Sequence, residues 1–187
     1  MRKRIFDWAT VCLPAGRLRV LELGATPDSE RADSNCFAKW FLSRCDRVAL
    51  ASVEDLSNLS GTLPCIEIIP WASMCTFGRE FDLVVSSAVL EHTGSHAADH
   101  IALALRLGRN LLLTTPNRYH WLEFHTKIPL LHWLPRPLHR ALLASLGLHF
   151  WADNENMRLY SAHELRRLFA DVISSRGVNV RTLHWFF

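Results

Sequence analysis

The sequence lacks several features that would place it outside the ordinary soluble globular proteins. Its five cysteines, at 12, 36, 45, 65 and 75, are odd in number and never fall in a CxxC pair. That argues against a disulfide framework or a cysteine zinc site and for reduced thiols in the cytoplasm. No stretch approaches the roughly 20 apolar residues of a membrane span. No signal peptide is visible, because the apolar residues after the basic start are broken by Asp7 and Pro14. Charge of one sign is not massed either. The net charge is +3, and Arg2-Lys3-Arg4 is the one basic cluster, too short to argue for nucleic acid. Internal repeats and low-complexity segments are absent.

What is present is 187 residues with 49% hydrophobic and 21% charged content, the size and balance of one globular domain with a sizeable core. Residues 1 to 17 read as a short helix with Ile5, Trp8 and Val11 inward, broken by Pro14 to Gly16. The run Arg19-Val20-Leu21-Glu22-Leu23-Gly24-Ala25-Thr26-Pro27-Asp28 reads as a buried parallel strand that ends in a turn. In an open α/β sheet that end borders the ligand crevice. Gly24 lets the backbone come close to a ligand, and Glu22 puts a carboxylate where it needs a partner. A helix is expected from Pro27-Asp28-Ser29 to about Arg44, with Phe37, Trp40, Phe41 and Cys45 at helical spacing. Further strands are expected at 47 to 53, 65 to 69, 81 to 86 and about 109 to 115, and a last one at 178 to 186.

Three segments resemble the class I S-adenosylmethionine-dependent methyltransferases. They are the strand and turn at 19 to 28, Phe81 to His92 as the fourth strand and its loop, and Leu111 to Arg118 as the fifth. They occur in the family's order. The resemblance implies an α/β fold with a doubly wound, mostly parallel Rossmann-like sheet. The family sheet has seven strands and six are counted here, so the last edge strand is expected to be missing or supplied by another copy. The family's turn usually has three glycines. Here Gly24 is followed by Thr26 and Asp28 in the other two places.

The resemblance also implies S-adenosylmethionine as cofactor, with Glu22, Gly24, Ala25, Thr26, Glu54, Asp55, Trp71 and Ser87 as its contacts. Glu54, then Asp55, is the candidate for the ribose hydroxyls, since a carboxylate offers two acceptor oxygens. Both residues read equally as caps of a short helix around Leu56 to Leu59. Trp71 stands where the family often has an acid, and it either stacks on adenine or is a structural tryptophan.

His92 is the candidate base, ahead of His120 and His125, because histidine titrates near neutral pH. The alternative is that His92 bonds a neighbouring loop. Asn117, Arg118, Glu123 and His125 are candidate substrate contacts. Arg118 suits a carboxylate or phosphate, or else it neutralises Glu123 or Asp82. His96 and His100, with Asp99 nearby, share a helix face, but spacing supplies no third ligand and no metal is expected.

Residues 119 to 157 form a long aromatic- and proline-rich insertion that reads as lid-like, with an amphipathic helix from Pro137 to Leu146. It packs as core, forms a dimer or membrane-surface contact, or walls a substrate pocket. Ser161-Ala-His-Glu164 is a capping box that opens another helix. The expected protein is thus a cytoplasmic methyltransferase acting on a small molecule, with no nucleic-acid partner. A catalytically inactive methyltransferase-like domain acting as a binding or assembly partner is the alternative. A nicotinamide-dependent oxidoreductase is disfavoured, because the dinucleotide glycine pattern does not follow Gly24.

Overall fold

A computed structural model describes residues 2–13, 18–31, 33–63 and 65–176. The chain divides into two compact units, Met1–Ser87 with Leu103–Leu113 and Ala88–Ala102 with Thr114–Phe187. The strand expected at 178 to 186 lies outside the described residues, as does the break at Pro14 to Gly16.

The first unit is built on a five-stranded sheet in the order β3-β2-β1-β4-β5. Its strands are β1 (Leu18–Leu23), β2 (Cys45–Ala51), β3 (Glu67–Ile68), β4 (Phe81–Ser87) and β5 (Gly108–Thr114). Strand β1 pairs in parallel with β2 and with β4, and β2 pairs in parallel with β3. Because successive side chains of a strand point to opposite faces, β1 feeds two cores. Val20 joins Val48, Leu50, Leu83 and Val85 beneath the helices α1 (Arg2–Cys12) and α2 (Cys36–Phe41). Leu21 and Leu23 join Ala49, Ala51, Val84, Met74 and Leu107 on the other face. Helix α3 (Ala97–Leu107) runs directly into Gly108. A Cβ at Gly108 would lie 2.6 Å from Val84 Cγ2, so only glycine allows this close turn.

Several boundaries differ from the sequence-based expectation. The helix after β1 begins only at Cys36, because residues 26 to 31 and 33 to 35 are held as a loop. Asp28 Oδ1 accepts the N–H groups of Glu30 and Arg31, and Asn35 exchanges two hydrogen bonds with the backbone of Thr26. The helix stops at Phe41, and Cys45 opens β2 instead of extending the helical face. Of the third strand, the ladder takes only Glu67 and Ile68. In α1 the inward residues are Ile5, Phe6 and Ala9, with Phe6 against Trp40 and Phe41, and Val11 is 83% exposed.

In the second unit, the insertion contains α4 (Arg136–Ser145) and α5 (His149–Ala152), and the chain ends its described part with α6 (Ala162–Arg176). The capping box forms as expected. Ser161 Oγ accepts the Glu164 N–H, and Glu164 Oε2 accepts the Ser161 N–H. Leu90, Ile101 and Leu143 are fully buried, as are Leu165, Phe169 and Val172 to within a few per cent. The aromatics of the insertion are not core. Tyr119, Trp121, Phe124, Trp133 and Phe150 all count among the exposed large hydrophobics.

Glu22 is the one carboxylate inside β1, and it accepts the Ala38 N–H of the first turn of α2 at 2.8 Å. Burial raises its pKa to about 7, against the lowering effects of that hydrogen bond and of the Arg2 charge. The folded state therefore binds a proton that the unfolded chain releases at lower pH. Stability from this group is complete below about pH 4.5 and is lost as pH rises towards 7, by on the order of 3 kcal/mol. Glu22→Gln keeps the acceptor oxygen and removes the titration. Its melting temperature should vary less than that of the parent between these pH values, and should exceed it at pH 8, as calorimetric scans would read.

Candidate functional site

The first unit gathers the residues expected to hold a cofactor at the ends of neighbouring strands. Gly24 closes β1 with φ at 85°, a conformation that disfavours a side chain. Its N–H, and that of Ala25, both reach Ala51 O, the last carbonyl of β2, at 2.7 and 3.3 Å. Just past β2, Glu54 is exposed, and its carboxylate has no hydrogen bond or ion pair among the described residues. Only its backbone N–H is engaged, by Ser52 Oγ at 3.2 Å. Asp55 differs, since its two oxygens take the Ser57 N–H and hydroxyl. That is the capping arrangement named above as the alternative. Trp71 opens a short 3₁₀ turn after β3 and is 37% exposed, while Ser87 is the half-buried last residue of β4. Thr26 is tied to Asn35, and Glu22 to Ala38, so these two act by shaping the turn.

An unpaired carboxylate next to a left-handed glycine turn, at the ends of paired strands, fits a ligand with a vicinal diol such as adenosine. This set needs no second residue to vacate a bond first.

The second unit brings three sequence candidates, His92, Glu123 and His125, and one further residue, Glu91, into a cluster. Ala88, at φ 58°, turns the chain out of β4 by donating its N–H to Thr114 O at 2.8 Å. The following turn, Leu90–His92, sets Glu91 inward and His92 outward. His92 Nδ1 lies 2.9 Å from Asn156 O. A carbonyl only accepts, so Nδ1 carries the proton and Nε2 carries the lone pair. His125 Nδ1 likewise donates to Glu123 Oε1 at 2.7 Å. The two Nε2 atoms then face each other 3.1 Å apart, with Trp151 beside both rings.

Glu123 is 3% exposed and receives the His125 N–H and the Thr126 hydroxyl in addition to His125 Nδ1. Burial alone would raise its carboxyl, but those donors outweigh it and hold it at about 2. Burial alone would lower His125, and the bond to Glu123 turns the shift upward. Glu123 thus orients His125 from behind. Glu91 is fully buried. Its Oε2 accepts the Thr115 hydroxyl at 2.8 Å, while Oε1 has no partner among the described residues. Burial raises this carboxyl, and an unsatisfied buried acceptor costs on the order of 1–3 kcal/mol.

His120 and the expected helix-face pair lie apart from this cluster. His120 Nδ1 bonds the Leu122 carbonyl. His96 is exposed beside Asp99 at 3.6 Å, and His100 is buried, which pushes its pKa down to about 4.

A pocket of the same unit is lined by Arg118, Arg136, Arg140 and Arg158 together with His132, His139 and Trp151. Among the described residues only Arg136 has a carboxylate at contact, Glu164 Oε1 at 2.6 Å. Arg118 donates to Leu134 O at 3.2 Å, and no ion pair joins it to Glu123 among the described residues. The Arg158 Nε and His132 Nδ1 are buried without a partner among the described residues. Burial and the charges of Arg136 and Arg158 push the Arg140 guanidinium below its usual range. Such an excess of positive charge favours an anionic group. Trp151 borders both the histidine cluster and this pocket. Asn117 has its Oδ1 engaged by the Tyr119 N–H and shares a bridge with Tyr160 at the foot of the insertion.

Glu91 and the three further arginines were missed by sequence reasoning. Glu91 adjoins His92, which was a usable signal, and Arg136 and Arg140 stand four apart on α4, but Arg158 comes from a separate segment with no spacing that ties it to them. Since Glu123 holds the His125 proton, Glu123→Gln should lower the His125 pKa. Histidine ring resonances followed through a pH titration would read it.

Comparison with known proteins places this geometry. The solved structure of YcgJ from Bacillus subtilis matches at TM-score 0.58 and 12% identity, over 91% of this chain and 68% of that one. A possible histamine N-methyltransferase of Thermotoga maritima matches at TM-score 0.54 and 11% identity, over 90% and 68%. The mycolic acid cyclopropane synthase CmaA1, solved with SAH and CTAB, matches at 0.54 and 16%, over 89% and 58%. At these identities the likeness is one of fold. A comparison with curated proteins gave no match. The family described as "Methyltransferase domain" matches residues 3–172, and with the strand order and strand-end turn above, the chain belongs to the methyltransferase domain family.

Proposed function

We propose that this protein transfers a methyl group from S-adenosylmethionine to a small molecule carrying a carboxylate or phosphate. The observation that carries the donor half is the Glu54 carboxylate, exposed and without a partner among the described residues, just past the β2 end that the Gly24 turn bonds. In this reading Glu54 takes the ribose hydroxyls and Asp55 assists it. Gly24, Ala25 and Thr26 border the methionine portion, Trp71 walls the adenine, and Ser87 completes the contacts. Glu22 is a positioning residue that secures α2. When bound, S-adenosylmethionine supplies a methyl group activated by its sulfonium. The work left to the chain is then to orient the acceptor and exclude water.

The acceptor half rests on the second unit. The four arginines favour an anionic group, and Arg118 is the sequence-expected member of that set. His92 and His125, beside Trp151, are the groups assigned to the reacting end of the acceptor, with Asn117 holding the loop and Glu123 orienting His125. No helix of the described residues is long and apolar enough to cross a membrane. All five cysteines are free, which supports a cytoplasmic setting.

Calorimetric titration with S-adenosylmethionine and S-adenosylhomocysteine tests the donor half. Both should bind the parent protein. Glu54→Gln should weaken both by ~10-fold, as loss of a charged acceptor does, with thermal stability nearly unchanged. Equal affinity in the variant, or no binding to the folded parent, would remove the donor assignment. For the acceptor half, inorganic phosphate should raise the melting temperature of the parent protein, and Arg140→Met should abolish that rise. An undiminished rise in the variant would place the anion elsewhere.

A further inference from the structure

We infer that Glu91, His92 and His125 form a binding site for a divalent first-row transition ion. One donor atom from each lies within 4.8 Å of the other two. What makes this more than proximity is that each residue's other polar atom is already committed. His92 Nδ1 is held by the Asn156 carbonyl, and His125 Nδ1 by the Glu123 carboxylate. Glu91 Oε2 is held by the Thr115 hydroxyl. The atoms left over are two imidazole lone pairs and one carboxylate oxygen. That oxygen, Glu91 Oε1, is buried and has no partner among the described residues.

Two lone pairs facing each other at 3.1 Å repel unless a cation lies between them. Imidazole bonds such ions at 2.0–2.1 Å. At that length a 3.1 Å separation subtends roughly 95–100°, between octahedral and tetrahedral values. A histidine whose second nitrogen is fixed by a carboxylate or a backbone carbonyl is the usual outer arrangement of a metal ligand. Two nitrogens and one oxygen suit zinc(II), cobalt(II) or iron(II) better than magnesium or calcium, which prefer oxygen alone. Three protein ligands leave positions open. On the methyl-transfer reading, and resting on it, those positions would take an acceptor oxygen or nitrogen and lower its pKa. The ion-binding inference itself needs no donor or acceptor.

The rival occupant is a proton, shared between the two Nε2 atoms when His125 is charged. The full-length protein, stripped with a chelator, should bind zinc(II) one-to-one, with a dissociation constant on the order of micromolar or tighter in calorimetry. Magnesium should not compete. His92→Gln and His125→Gln should each weaken zinc by ~100-fold, and His96→Gln, at an exposed histidine outside the cluster, should not. Either substitution could disturb its loop, so the unmutated protein provides a second reading. In long-range proton–nitrogen spectra, zinc should shift the Nε2 signals of His92 and His125 while both Nδ1 protons remain. If zinc leaves those two signals in place, or binds both glutamine variants with parental affinity, the site holds a proton and the inference fails. Both measurements are made without S-adenosylmethionine, so their failure is separate from failure of the donor assignment.

Discussion

Burial of β1 between two parallel neighbours is the constraint on which the first unit depends. Val20, Leu21 and Leu23 have no exposed surface, and their alternation binds two cores to one strand. Each such side chain contributes roughly 1.5–3 kcal/mol on burial. A buried strand must end somewhere its backbone can turn, and Gly24 supplies that turn by adopting a positive φ and bonding to the end of β2. The position of Glu54 follows from the same pairing. The register that sets Leu23 opposite Ala51 also sets the two chain exits side by side.

Glu22 shows how this frame accommodates a polar group. A carboxylate inside a buried strand is costly, and a single backbone N–H from α2 offsets part of that cost. The residue therefore serves the attachment of α2, and its charge is held back by burial. Its place in the strand suggests ligand binding, whereas its hydrogen bond makes it a support for the turn that follows.

In the second unit the organising fact is which polar atoms are already satisfied. Glu123 spends its oxygens on its own loop and so presents His125 with a fixed tautomer. Asn156 does the same for His92 through a carbonyl. The arginine pocket is the reverse case, in which like charges gather with one close carboxylate. Both features meet at Trp151, so the paired histidines and the arginine pocket occur within one unit.

The five strands of the described sheet and the family were legible in the sequence, because a buried parallel strand requires an unbroken apolar run and its exit requires turn residues. Those are local conditions, met within about ten residues at 19 to 28, 81 to 92 and 111 to 118. The capping box at Ser161 was equally local. Helix boundaries were less so: Asp28 and Asn35 hold the backbone of Thr26 and Glu30 by side-chain bonds that compete with a helix, and the apolar spacing of Phe37 to Cys45 does not register them. The site divides in the same way. Sequence by itself determined the strand-end residues Gly24, Glu54 and His92, since each sits at a fixed distance from an apolar run. Only the tertiary structure decided that His92 meets His125, that Glu91 keeps an oxygen without a partner among the described residues, and that Arg118 and Arg158 share one pocket with the two arginines of α4. Those contacts join residues far apart along the chain, and no local pattern encodes the folding of the insertion that brings them together.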